Sequence, residues 1–292
     1  MKKKYGFVIL HYLVEEMTVK CIDNILNNLN SESIEIVIVD NASPNGSGKS
    51  LLEKYDQVKN VNVLLNSQNS GFARGNNVGY SFLRERKKCD YIIVMNNDVL
   101  IEQNDFLKII DDLYVKDKFA VLGPDIYCPA WNMRQNPARL KGLSYDRVCN
   151  LYKSYYRWCL HPLVHFYKDL ITDKIKGRTV QQIQGMESID RDIKHLDVVL
   201  HGACYIFSPI FIRQRTLAFC PDTFLYMEED ILHYECKMLG LKMLYSPKIR
   251  VTHLEEVSTS ANHKTAYAKK TMKYNETMKS LVTLQKMMSK DS

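Results

Sequence analysis

Short apolar runs alternate with helix-patterned segments through the first hundred residues, and each run stops abruptly in polar residues. Tyr5 to Leu10 reads as a buried strand, Thr18 to Leu29 as a helix with Val19, Ile22, Ile25, Leu26 and Leu29 on one face. Ile34 to Val39 reads as a second strand and ends in the turn-rich stretch Asp40-Asn41-Ala42-Ser43-Pro44-Asn45-Gly46. A short helix around Leu51 to Tyr55 and a strand at Val61 to Leu65 follow. Asn69-Ser70-Gly71-Phe72-Ala73-Arg74-Gly75-Asn76-Asn77 then opens a helix to about Arg86, and the strand at 91–95 ends in Asn96-Asn97-Asp98. Repeated units of this kind demand parallel strands with helices packed on the faces. In such sheets ligands bind in the crevice outside the strand ends, where these polar clusters would collect.

The chain has 292 residues, a length at which α/β enzymes commonly form one domain, and 46% hydrophobic residues, enough for a sizeable core. No apolar run is long enough to span a bilayer. The stretch after Met1-Lys2-Lys3-Lys4 is brief and runs into His11-Tyr12, so no secretory signal is expected. Eight cysteines without C-x-x-C spacing, mostly beside apolar residues, read as reduced core thiols of a cytoplasmic protein. A formal charge of +7 suits a nucleic acid, an anionic membrane or a phosphorylated substrate, so its placement matters more than its sum.

Residues 100–123 give a further helix and strand. From about Ala130 to Lys194 the character changes. Between 130 and 180 ten Lys or Arg face three Asp, interleaved with Trp131, Tyr145, Tyr152, Tyr155, Tyr156, Trp158, Phe166 and Tyr167. Such a mixture suits a membrane interface; a helical subdomain with its own aromatic core explains it equally. Core-type strands return at Val198 to Phe207 and near Lys242 to Tyr245. Between them Phe224 to Leu232, containing Glu228-Glu229-Asp230, looks like a loop entering a helix, and carboxylates in a first helical turn are favoured by the dipole in any protein. The tail from about Tyr267 to Met288 reads as an amphipathic helix whose apolar face packing on the domain or on a second subunit would explain.

Five polar sets therefore fall where a parallel sheet would gather them: Asp40-Asn41, Asn69 to Asn76, Asn96 to Asp98, Glu228 to Asp230, and His253 at the end of Pro247 to His253. Each alone has an ordinary explanation. Asp98 could cap a helix, His253 could be a satisfied core residue and Arg74 a solvated helix arginine. Their joint placement argues for a site.

These stretches, above all Gly71-Phe72-Ala73-Arg74-Gly75-Asn76-Asn77, fall in the order found in family 2 glycosyltransferases, and the chain resembles the rhamnosyl- and galactofuranosyl-transferase-like members of bacterial polysaccharide and capsule assembly. The resemblance covers residues 5–128 and 196–256 and leaves the insert at about 130–195 aside. It implies a GT-A fold, an α/β, Rossmann-like, mostly parallel sheet with helices on both faces, spanning 1–260, followed by a C-terminal amphipathic helix at 261–292. It further implies that Asp40 contacts the base of a nucleoside-diphosphate sugar, with UDP or dTDP as carrier. Asn41, Asn69, Gly71, Arg74, Asn76, Asn96 and Asn97 would line the donor pocket, and Asp98 with His253 would hold Mg²⁺ or Mn²⁺. Asn96 stands where many members carry Asp, which places the acidic part of the metal motif on Asp98.

The resemblance also implies a carboxylate base at the start of the later helix. Aligned on Phe224-Leu225-Tyr226, Glu229 takes that place; a shift of one gives it to Asp230, with Glu228 beside them. A sugar hydroxyl attacks well only when a positioned base accepts its proton, and crowded carboxylates raise one another's pKa. One in-line displacement with inversion then suffices, with a glycan or lipid-linked acceptor, on the inner face of the cell membrane if peripheral. Ser258-Thr259-Ser260, His263 and Lys264 are either a closing loop or a plain linker. A homodimer is left open. Two other classes compete. A sugar-nucleotide-forming nucleotidyltransferase would carry a Gly-rich loop where this chain has His11-Tyr12-Leu13-Val14-Glu15-Glu16. A non-catalytic carbohydrate-binding protein of the same fold would lack the carboxylates. No nucleic-acid partner is expected, because no zinc, RRM-like or helix-turn-helix signature accompanies the basic insert.

Overall fold

The computed structural model describes residues 3–29, 31–176, 189–255 and 265–290. The expected alternation is present: β1 (Tyr5–His11), α1 (Glu15–Asn28), β2 (Ile34–Asp40), α2 (Ser47–Tyr55), β3 (Val61–Leu65), α3 (Gly71–Glu85) and β4 (Tyr91–Asn96). A two-residue β5 (Val99–Leu100), α4 (Phe106–Asp117), β6 (Val121–Cys128) and β7 (Met133–Arg134) come next. The second half holds α5 (Tyr145–Leu160), α6 (Pro162–Lys176), β8 (His195–Leu196), β9 (Cys204–Phe207), α7 (Pro209–Gln214), α8 (Glu228–Met238), β10 (Met243–His253) and α9 (Ala266–Lys290).

The main path of the sheet runs β3-β2-β1-β4-β9-β6-β10-β5. Its members β3, β2, β1 and β4 are mutually parallel, β9 is antiparallel to both of its neighbours, and β6 pairs β10 in parallel. Strand order reverses at β1, with β2 on one side and β4 on the other, and this opens a crevice at their C-terminal ends. Period-two alternation divides the strands between two cores. Ile9, Ile36, Ile38, Ile93 and Met95 face Ile22, Ile25 and Phe106 on one side. Val8, Val37, Val39, Ile92 and Val94 face Tyr80, Leu83, Phe211 and Leu232 on the other.

Two expected strands take a different form. The run 198–207 is strand only from Cys204; residues 198–203 are irregular although Val198, Val199 and Leu200 are buried. The separate runs near 242–245 and 247–253 are one strand, β10, with a register shift between Ser246 and Arg250 around Pro247, which has no N–H to pair. The insert is not a unit apart. Its helix α5 packs on α9, with Val148, Leu281, Leu284 and Ile231 of α8 in a third small core. All eight cysteines are free. Among the described residues no helix is long and apolar enough to cross a membrane.

Candidate active site

The C-terminal ends of β1, β2 and β4 gather most of the expected residues. Asp40, the last residue of β2, is 5% exposed and accepts from the Ser43 N–H at 3.2 Å. Gly48 leaves it room: a Cβ there would fall 2.2 Å from its Oδ2. Asn41 is wholly engaged in tying loops together. Its Nδ2 donates to Asn69 Oδ1 (3.0 Å) and Gly71 O (3.1 Å), and its Oδ1 accepts from Asn66 Nδ2 (3.2 Å) and the Ser70 N–H (3.0 Å). Gly71 sits at φ +81°, and a side chain there would strike the Phe224 carbonyl at 2.1 Å, so this position needs glycine on both counts. The Phe72 N–H donates to that same carbonyl at 2.7 Å, which fastens the loop to the segment leading into α8.

Arg74 donates from Nε to the Pro221 carbonyl at 2.6 Å, a second tie between this loop and the segment before α8. Asn76 is 1% exposed; its Nδ2 donates to Phe72 O, and its Oδ1 has no hydrogen-bond partner among the described residues. Asn96 closes β4, its N–H donating to Ala203 O at 2.9 Å. Asn97 donates to Thr18 Oγ1 at 3.0 Å. The same hydroxyl lies 2.8 Å from His11 Nδ1, and His11 Nε2 lies 2.8 Å from Ser47 Oγ and 4.0 Å from Asp40 Oδ1. Burial pushes the His11 pKa down. This fully buried histidine thus joins the Asp40 side of the crevice to the Asp98 side. Beyond its place as a polar residue ending an apolar run, nothing local marks it.

Asp98 and His253 converge. Val99 pairs with His253 across β5 and β10, and Asp98 Oδ1 lies 3.3 Å from His253 Nε2, yet it has no hydrogen-bond partner among the described residues. The reason lies behind the ring. Gln135 Nε2 donates to Glu255 Oε1 at 2.8 Å, so its carbonyl oxygen faces His253 Nδ1 at 2.7 Å. Nδ1 must then carry the proton, and in the neutral ring the Nε2 lone pair is turned towards a carboxylate. Two buried acceptors facing each other are a fitting seat for a divalent cation. Among the described residues no group of three or more His, Cys, Asp or Glu side chains has metal-holding geometry, so Asp98 and His253 are the pair that could hold an ion. Gln135 was not evident in the sequence, lying in the basic insert 118 residues from its partner. Gln135→Leu is expected to weaken Mn²⁺ binding by roughly 10- to 100-fold, the usual effect of losing a ligand's supporting hydrogen bond. Titration followed by the EPR signal of free Mn²⁺ would read it.

The three acidic residues of α8 separate. Glu229 is half-buried and accepts from the Gly202 N–H at 3.1 Å. Burial and the neighbouring Asp230 raise its pKa, with Gly202 opposing. Asp230 is paired with Arg139; burial raises its pKa and the guanidinium counteracts. Glu228 is 8% exposed, with Oε1 unpartnered among the described residues, and burial pushes its pKa to about 8. That shift has a sign. Between the ordinary glutamate range and pH 8 the unfolded chain has lost a proton that the folded one keeps, so stability falls as pH rises. Glu228→Gln should therefore raise the melting temperature at pH 8.5 by about 5 °C and leave it nearly unchanged at pH 4.5. Calorimetric scans at the two pH values would check this.

The irregular stretch before β9 knits these parts together. The His201 ring lies 5.9 Å from that of His253, tilted at 58°, Gly202 holds Glu229, and Ala203 O accepts from Asn96. Burial, then the adjacent His253, pushes the His201 pKa down to about 3, so its ring is neutral beside the cation seat. Ser258, Thr259, Ser260, His263 and Lys264 lie outside the described residues.

A mixed sheet of this order, with carboxylate, histidine and base candidates around one crevice, defines a glycosyltransferase of the GT-A class. The sequence model described as glycosyl transferase family 2 matches residues 7–168, more than half of the chain. The chain belongs to that family. Its match ends before Glu229 and His253, whose place rests on the fold. Glycosyltransferase GlyG of Streptococcus pneumoniae is 27% identical over 123 residues, 42% of this chain and 39% of that protein, so the chain matches about two fifths of its relative's length. Among solved structures, GalNAc-T7 with UDP, GalNAc and Mn²⁺ superposes at TM-score 0.59 with 13% identity, over 87% of this chain and 44% of that one. The mannosyltransferase PcManGT of Pyrobaculum calidifontis, with GDP-Man and Mn²⁺, gives 0.51 and 13% over 91% and 59%. The S. aureus protein TarS gives 0.52 and 12% over 86% and 60%. At these identities the likeness concerns the fold.

Proposed function

We propose that the protein is an inverting, divalent-cation-dependent glycosyltransferase acting in cell-surface polysaccharide synthesis. It moves a sugar from a UDP- or dTDP-linked donor to a hydroxyl of a glycan or lipid-linked acceptor. The observation that carries this reading is the 201–203 stretch, whose consecutive residues touch the His253 ring, the Glu229 carboxylate and the end of β4. In this reading the metal-side and base-side groups, joined by that stretch, serve one crevice. Asp40, at the far end of the His11 network, meets the nucleotide base in the same reading. Asp98 and His253 are the residues that would hold Mg²⁺ or Mn²⁺, which neutralises charge on a departing diphosphate when bound. Glu229, with a pKa raised towards neutrality, accepts the acceptor hydroxyl's proton as its oxygen attacks the anomeric carbon. A single base opposite the leaving group gives inversion, with no enzyme nucleophile needed.

The structural relatives support a nucleotide-sugar donor through their bound UDP and GDP-Man. His11, where a nucleotidyltransferase would have a phosphate-binding glycine loop, is consumed in the buried network. The test is a screen of purified protein against UDP-, dTDP- and GDP-sugars with and without Mn²⁺, reading donor binding and hydrolysis. Binding of one donor class, strengthened by Mn²⁺, is the expected result; no binding to any nucleotide sugar overturns the proposal.

A further inference from the structure

The outward side of the α5–α6 elbow is apolar at its tip and basic around it. Tyr156 and Leu160, one turn apart on α5, are 46% and 54% exposed. Leu163, Val164 and Tyr167 on the first turns of α6 are 56%, 66% and 63% exposed. The elbow is not a frayed end, because the inward faces of the same helices are packed. Tyr155 and Trp158 lie against Tyr274 of α9, with ring centroids 4.7 and 4.3 Å apart, and Phe166 meets Tyr267 at 5.3 Å. Five large side chains, aliphatic or tyrosine, are thus about half exposed or more on an anchored support. A patch of this kind on a soluble surface marks an interaction site.

Charge narrows the partner. Between Asp146, in the first turn of α5, and Asp169 there is no Asp or Glu, while the exposed Lys153, Arg157 and Lys168 supply positive charge near the elbow. The next carboxylate, Asp169, is taken up by Lys270 at 2.5 Å and by the Trp158 Nε1–H at 3.3 Å. A second copy docking elbow to elbow would press two basic rims together, which is unfavourable. Protruding aliphatic and tyrosine side chains ringed by cations match an anionic lipid surface, where the apolar groups enter the headgroup boundary and the cations meet the phosphates.

The position fits as well. Helix α5 runs antiparallel to α9: Val148 packs with Leu281 and Leu284, and Trp158 with Tyr274. Along α9, Ser280 Oγ donates to Leu225 O, and the Lys273 ammonium lies 5.7 Å over the ring of Tyr226, two residues before Glu228. The elbow therefore lies beyond the end of α9 that borders the entry to the base-bearing helix. We infer that the α5–α6 elbow docks the protein on an anionic bilayer with the crevice side towards the lipid surface. The purpose of that orientation, reach to a lipid-linked acceptor, rests on the function proposed above; the docking itself does not.

Sedimentation with vesicles separates the two. The full chain should bind vesicles of phosphatidylcholine with about 30% phosphatidylglycerol, bind pure phosphatidylcholine poorly, and release in high salt. Leu160→Asp with Val164→Asp, and separately Lys153→Glu with Arg157→Glu, should each cut the bound fraction roughly tenfold while melting temperature and nucleotide-sugar binding stay unchanged. Wild-type binding by either double variant, no binding by the parent, or a dimer in light scattering that the Asp variants dissolve would overturn the inference. Vesicle binding retained by a protein that binds no nucleotide sugar would uphold the docking surface and sink only the transferase reading.

Discussion

Glu229→Gln should nearly abolish sugar transfer, lowering kcat by roughly a hundred- to ten-thousandfold, while the donor binds as before. Glutamine keeps the shape and an acceptor oxygen, so the hydrogen bond from the Gly202 N–H survives and α8 stays seated. What disappears is the group able to take a proton, and a positioned base is worth about 10²–10⁴ in rate. The wild-type rate should rise with pH as Glu229 ionises, with the limb displaced above the ordinary carboxylate range because burial and Asp230 both raise it. Initial rates with a fixed donor, set beside donor affinity by calorimetry, would show both results. Asp230→Asn serves as the contrast. Its carboxylate is committed to Arg139, and its loss should loosen the contact between α8 and the 138–139 segment, lowering the melting temperature more than the rate. Transfer lost in Asp230→Asn and kept in Glu229→Gln would move the base by one position.

The sequence pattern carried the first half of this molecule well because β1, β2 and β4 are buried on both faces and close in polar residues. Tyr91 to Met95 and Ile34 to Val39 could be little else. Asp40, Asp98 and His253 were legible for the same reason, as polar residues at the ends of apolar runs. Contacts over long separations were not. Gln135 is made important by His253, and Arg139 by Asp230 91 residues away; nothing local marks either. The 201–203 stretch was hidden in an apolar run reading as strand from Val198, whereas its backbone turns aside to meet Glu229 and Asn96 before β9 begins. Local roles were also hidden. Arg74, an arginine in a glycine-rich loop, suggests a phosphate, and its Nε also ties the loop to the Pro221 carbonyl. Asn41 and Asn69 spend their amides on holding the loop.

Asp98→Asn should remove Mn²⁺ binding, weakening it at least about a hundredfold, and with it nearly all transfer, in a protein no less stable than the parent. On the proposed function Asn96 stands where a second carboxylate would, so Asp98 is the acidic side chain on which the cation seat would depend. Its Oδ1 is buried without a hydrogen bond among the described residues and faces a ring nitrogen whose lone pair the Gln135 contact turns towards it. In the absence of a cation that arrangement costs free energy, since an unsatisfied buried acceptor keeps its full desolvation penalty. An asparagine amide can donate to the same nitrogen, so the substitution relieves the penalty and closes the seat together. Melting curves separate this from simple damage. The parent should gain stability as Mn²⁺ is added, by about 2.7 kcal/mol at a hundred times the dissociation constant, and the variant should gain nothing. Without the cation, the variant should melt at the same temperature as the parent or higher. A variant that melts lower and still responds to Mn²⁺ would mean that Asp98 supports the strand end and does not hold the ion. Asn96→Asp completes the argument from the other side: a second carboxylate beside the first should tighten Mn²⁺ and lower cation-free stability, because two negative charges would then share a buried strand end.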